Sequence, residues 1–153
     1  MGIVLTCGVL LVMLAGCMMR DARWGRIRPP DGVAGREYRL EVTGYCDCGE
    51  CCGWRRNWLG RPVIASGPNK GKPKQVGITA SGERARKGTI AADTSIFPFG
   101  TVMYVPGYGY GVVEDRGGAI QGYKLDLYFS THRQALEWGR QRKVVKVWSP
   151  SRR

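Results

Sequence analysis

Three aspartates, Asp93, Asp115 and Asp126, stand in or at the end of short apolar runs: "GTIAAD", "YGVVED" and "KLDLYF". Asp93 and Asp115 come where their runs give way to turn residues. Asp126 lies between Leu125 and Leu127. Side chains alternate along a strand, so Asp126 belongs to the polar face opposite those leucines. Clustered carboxylates repel, and at least one of them then keeps its proton to a higher pH. A protonated carboxyl group beside a charged one is equipped to break a glycosidic bond. The same trio could instead hold a cation. Taken singly, each aspartate could equally cap a turn or pair with one of the 24 Lys and Arg side chains. Glycines at 117, 118 and 122 let the loop before Asp126 fold tightly and bring backbone close to a ligand.

A second group with chemistry in it is "TGYCDCGECCGW", which packs Cys46, Cys48, Cys51 and Cys52 into one short segment. Four thiolates could close a tetrahedral zinc site, although the spacing is tighter than a pair of separated C-x-x-C knuckles. An even number of cysteines in an exported domain points to disulfides instead. Cys51 and Cys52 are adjacent, so each is expected to reach back to Cys46 or Cys48 rather than to its neighbour. His132 is the only histidine and falls on a predicted helix far along the chain, so a catalytic thiol is not the expectation.

The N-terminus decides between these fates by compartment. Residues 3–15 are apolar and run into Leu14-Ala15-Gly16-Cys17. The run is short for a membrane span and ends in small residues before a cysteine. It resembles a bacterial lipoprotein signal, although no Lys or Arg precedes the apolar run. The expectation is a signal peptide over 1–16 and lipid on Cys17. Disulfides among Cys46, Cys48, Cys51 and Cys52 are therefore preferred to a metal.

The elements that must position these residues follow. Residues 17–35 are rich in Arg, Pro and Gly and read as a flexible tether. The folded part is expected over 36–148, with a basic tail at 149–153. "EYRLEV" sets Tyr38, Leu40 and Val42 against Glu37, Arg39 and Glu41, a half-buried strand. "PVIA" and "GTIAAD" are short apolar runs. "GTVMYVPG" and "YGVVED" read as strands joined at Pro106-Gly107. "KLDLYF" and "KVVKVW" add two more. "THRQALEWGR" is a helix, with Thr131 as N-cap and Gly139 near its end. Many short strands, glycine-rich turns and one short helix indicate a mainly β fold, a small barrel. The net charge of +12 favours a polyanionic partner: nucleic acid, anionic lipid or an acidic wall polymer. No nucleic-acid motif is present, and the export signal argues against that partner.

"ITASG" (78–82), "GTIAADTSIFPFGTVMYVPGYG" (88–109), "VEDRGGAIQGYKLDLYF" (113–129) and "THRQALEWGRQRKVVKVW" (131–148) together resemble the 3D domain, named for three aspartates. That domain is related to the C-terminal region of the membrane-bound lytic transglycosylase A family. Arg116 stands where a small residue is common in the family, and the larger enzyme's second domain is not found here. The resemblance implies a six-stranded double-psi β-barrel with a Cys-rich loop. It also implies a lytic transglycosylase that cuts peptidoglycan between N-acetylmuramic acid and N-acetylglucosamine and leaves a 1,6-anhydro sugar. Asp126 would be the catalytic acid and then base, with Asp115 and Asp93 setting its geometry and charge. Thr79, Lys124, Gly117 and Gly118 would contact substrate. No cofactor or metal is expected. The expected partners are the glycan strand and, through the lipid on Cys17, the membrane; nucleic acid is not one. The protein is expected to be a monomer at the outer membrane, facing the periplasm. The alternative is a peptidoglycan-binding envelope lipoprotein without catalysis.

Overall fold

The structure, a computed structural model, describes residues 27–150. The expected signal peptide and the lipid site at Cys17 lie outside the described residues, as do most of the expected tether and the last three residues of the tail.

Six strands close into a barrel in the order β1-β7-β4-β6-β5-β8, with β8 returning to β1. They are β1 (Arg36–Tyr45), β4 (Thr89–Ala92), β5 (Val102–Val105), β6 (Gly109–Asp115), β7 (Lys124–Tyr128) and β8 (Gln141–Trp148). A separate hairpin, β2 (Trp54–Arg56) and β3 (Pro62–Ile64), follows a one-turn helix α1 (Gly49–Cys52) in the Cys-rich loop. The longer helix α2 (His132–Trp138) starts at Thr131, whose hydroxyl accepts the backbone N–H of Gln134. The mainly β barrel read from the sequence is thus the observed fold. Two elements went unread, α1 and β2, both too short to show a period.

The period-2 patterns account for the core. Leu40 and Val42 of β1, Leu125 and Leu127 of β7, and Val145 and Val147 of β8 all point into the barrel. They meet Ile90 and Ala92 from β4, Met103 and Val105 from β5, and Val113 from β6. Closure leaves the six-stranded sheet no free edge. Two neighbouring pairs are parallel, β1 with β7 and β4 with β6; the rest are antiparallel.

A second, smaller cluster lies outside the barrel wall. Tyr45, Ala91 and Tyr128 form it, with Cys51, Cys52 and Ala85 packed against them. Helix α2 lies across β1 beside it, and Gly44 permits the approach. A Cβ at Gly44 would fall 2.9 Å from the Phe129 ring and 3.1 Å from the Ala135 carbonyl oxygen. This close seat carries the start of α2 to the end of β1.

Candidate active site

Sheet register brings two of the three aspartates into one row. Thr43 of β1 pairs with Asp126 of β7, Asp126 pairs with Ala91 of β4, and Ala91 pairs with Asp115 of β6. The carboxylates flank a central strand, two strand spacings or roughly 10 Å apart at the backbone. Ala91, buried and small, forms the floor between them.

Simple alternation would not have put Asp115 there. Val113 points into the core, and two residues on Asp115 would follow it. The register between β4 and β6 shifts: Ile90 pairs with Val113, but Ala91 pairs with Asp115. Glu114 is the extra residue of a β-bulge, which re-aims the side chain after it. Asp115 thereby joins Asp126 on the outer face, where both line an open groove of about 760 Å³. That volume is within the roughly 300–1,000 Å³ of ordinary ligand clefts.

The two carboxyl groups have different surroundings. Asp115 accepts from three donors: the Tyr45 hydroxyl at 3.0 Å, the Ala80 N–H at 2.9 Å and the Arg116 N–H at 2.9 Å. Between them these donors engage both carboxyl oxygens, Oδ1 twice and Oδ2 once. Asp126 accepts one hydrogen bond, from the Thr43 hydroxyl to Oδ1 at 2.8 Å. No described residue bonds its Oδ2, which leaves that atom to act in the groove. Burial pushes the Asp126 carboxyl up to about 6; the Thr43 hydroxyl opposes this, and the charge of Asp115 adds to it. Tyr45 is raised as well, by burial first and by Asp115 second, so it remains a hydroxyl donor. A proton-bearing carboxyl beside a charged one can protonate a leaving oxygen and stabilise the positive charge left behind.

Asp93 is elsewhere. It lies outside the groove lining and anchors a turn. Its Oδ1 accepts the Ser95 hydroxyl at 2.6 Å and the Ser95 N–H at 3.0 Å, and its Oδ2 accepts the Gly122 N–H at 2.8 Å. The Ser95 hydroxyl, then the Gly122 and Ser95 N–H groups, hold its carboxyl below the usual range. Gly122 has φ +69°, a conformation that favours glycine, and it closes the loop that carries Gly117 and Gly118. Both of those glycines line the groove, so the turn that Asp93 anchors carries part of the groove wall.

Thr79 also lines the groove, but its hydroxyl is engaged locally with Glu83 and Ser81. That tight turn presents the Ala80 N–H to Asp115. Lys124 is not in the groove; its ammonium is 4.0 Å from Glu41, which also pairs with Arg140. Thr43, Tyr45, Ala80 and Ala91 are the site residues that sequence reasoning missed. Thr43 and Tyr45 do continue the outward face of the β1 alternation, the one signal that could have found them.

The four cysteines gather beside this groove. Cys46, Cys48, Cys51 and Cys52 are free thiols in the structure. Cys51 and Cys52 line the groove wall. His132, distant in sequence, has its Nδ1 3.4 Å from the sulfurs of both Cys48 and Cys51.

Comparison with known proteins gives three findings. Residues 88–149 match the family model of the 3D domain. The matched segment takes in β4 to β8 and α2 but leaves out β1, the source of Thr43 and Tyr45. Two Bacillus subtilis (strain 168) proteins are similar over 75 residues, 46% of this chain. One, YabE, named as a cell wall shaping protein, is 35% identical; the other, the cell wall-binding protein YocH, is 39% identical. The chain spans 18% and 26% of the length of those relatives. A crystal structure of the E. coli lytic transglycosylase MltA is 26% identical, covering 52% of this chain and 30% of that one, with a TM-score of 0.40.

Proposed function

We propose that this protein acts on cell-wall glycan as a lytic transglycosylase, with Asp126 as its acid and base. The observation that carries the reading is the unequal pair in one groove, a buried Asp126 with one hydrogen bond and its carboxyl pushed up to about 6, and an Asp115 bound by three donors. The match to the 3D domain and the cell-wall names of the two Bacillus relatives support peptidoglycan as the polymer. They also support a location in the cell envelope. The lipid on Cys17 would tether the domain there.

In the reaction, Asp126 gives its proton to the glycosidic oxygen as the bond from that oxygen to C1 of N-acetylmuramic acid breaks. The positive charge spread over C1 and the ring oxygen faces Asp115. The C6 hydroxyl of the same sugar then attacks C1, and Asp126, now a carboxylate, takes its proton. A 1,6-anhydro sugar and a free N-acetylglucosamine hydroxyl result, no water is consumed, and Asp126 ends protonated as it began. Gly117 and Gly118 on the loop held by Asp93 form the facing wall of the groove.

The test is incubation of the purified protein with peptidoglycan and mass spectrometry of the products. Wild type is expected to release anhydromuropeptides. Asp126→Asn is expected to fold and bind the polymer but to lose roughly 10²-fold or more of that product, the scale of a missing general acid. Wild-type turnover by the variant would remove Asp126 from this role. Binding by wild type without any anhydro product would favour the second reading, a wall-binding protein. The net charge of +12 supports that reading, because it gives affinity for an anionic wall polymer.

A further inference from the structure

We propose that Cys46, Cys48, Cys51 and His132 form a structural zinc site, separate from the carboxylate pair. Their ligand atoms all lie within 4.8 Å of one another. The Cys46 and Cys51 sulfurs are 3.8 Å apart. The His132 Nδ1 is 3.4 Å from the Cys48 and Cys51 sulfurs and 4.0 Å from that of Cys46. A tetrahedral zinc with Zn–S of about 2.3 Å and Zn–N of about 2.0–2.1 Å sets its ligands about 3.8 Å apart for two sulfurs and about 3.6 Å for sulfur and nitrogen. The Cys46–Cys51 separation and the two of 3.4 Å match such a shell, and the 4.0 Å one is close to it.

The surroundings fit a metal as well. The other ring nitrogen of His132, Nε2, is 3.1 Å from the Glu50 carboxylate. A carboxylate on the far nitrogen fixes the ring orientation and the tautomer that leaves Nδ1 free to ligate. The Cys51 N–H donates to the Cys48 sulfur at 3.4 Å, which orients that sulfur where helix α1 begins. Cys52 is not a ligand: its sulfur turns away and donates to the Cys46 carbonyl oxygen at 3.1 Å. Three sulfurs and one imidazole fill all four positions, the pattern of a structural site with none open for substrate. The site would tie the end of β1, helix α1 and the start of α2 together, and so hold the groove wall made by Cys51 and Cys52.

The test uses the full chain, purified reduced, loaded with zinc and desalted, with metal content measured by plasma mass spectrometry. About one zinc per chain is expected. Cobalt(II) in its place is expected to give thiolate charge-transfer absorption and the intense visible bands of a tetrahedral ion. Cys48→Ser and His132→Ala are expected to weaken zinc binding more than about 100-fold, and Glu50→Gln, an exposed change that leaves the fold intact, about 10-fold. Cys52→Ser should leave it unchanged. A reduced wild-type chain that holds no zinc overturns the proposal, and so does zinc retained equally by the Cys48, His132 and Glu50 variants. Protein isolated from its host envelope with these thiols joined in disulfides and without zinc overturns it too.

Discussion

The carboxylate row and the thiol–imidazole cluster both hang from the end of β1, yet they are positioned by different means. Thr43 and Tyr45 reach the carboxylates across hydrogen-bonded strands, where backbone register sets the geometry. Cys46, one residue beyond Tyr45, belongs to a cluster drawn from a loop, a one-turn helix and the first residue of α2. Nothing in that second region is fixed by a ladder of strands. Its geometry depends on the side chains themselves and on the close seat of α2 over Gly44. A row built on register can lose a functional group and keep its shape. A cluster built on side chains loses shape when it loses a member.

Changes in the row should therefore alter chemistry without unfolding, and changes in the cluster should do the reverse. After Asp126 itself, the largest effect is expected from Asp115→Asn. It removes the charge facing the reacting carbon and should lower turnover on peptidoglycan by roughly 10–10²-fold, with a thermal midpoint close to that of wild type. Unfolding of that variant would mean that the row is not independent of its side chains. Next, His132→Ala should cost roughly 1–3 kcal/mol of stability in denaturant titrations, while the pH dependence of whatever turnover remains stays that of wild type. The smallest effect is expected from Thr43→Val. The Thr43 hydroxyl favours the charged form of Asp126, so its loss should raise the Asp126 pKa above about 6. Activity that needs a protonated Asp126 falls as pH rises through that value, and the alkaline limb of the pH–rate profile should move up in the variant. A limb that stays in place or moves down would show that Thr43 does not act on the acid.

The sequence made the barrel legible because its strands alternate cleanly. In "EYRLEV" and "KLDLYF" the buried residues are the apolar ones. The N-cap of α2 was legible from Thr131. Asp126 was placed on the outer face by that alternation alone. Asp115 was assigned to the same site, but the device that puts it there, the bulge at Glu114, leaves no mark in the order of residues. Asp93 looked equivalent to Asp115 because both end an apolar run, and only Ser95 and Gly122 distinguish its surroundings. Lys124 shares a face with Asp126 by period, yet Glu41 on the neighbouring strand draws it away. Those facts depend on which strands are neighbours, and a single sequence does not carry that. The meeting of His132 with the cysteines is of the same kind. It depends on a packing allowance at Gly44, far from both in function.

The central claim is that the row keeps a proton on Asp126 where an ordinary aspartate would have lost it. Carboxyl-carbon NMR of protein labelled at aspartate reads this directly, with Asp126→Asn identifying the resonance. The titration of Asp126 is expected to have its midpoint at about 6, well above that of an isolated aspartate. A midpoint near 4, with Asp126 charged throughout the neutral and mildly acidic range, would contradict the account.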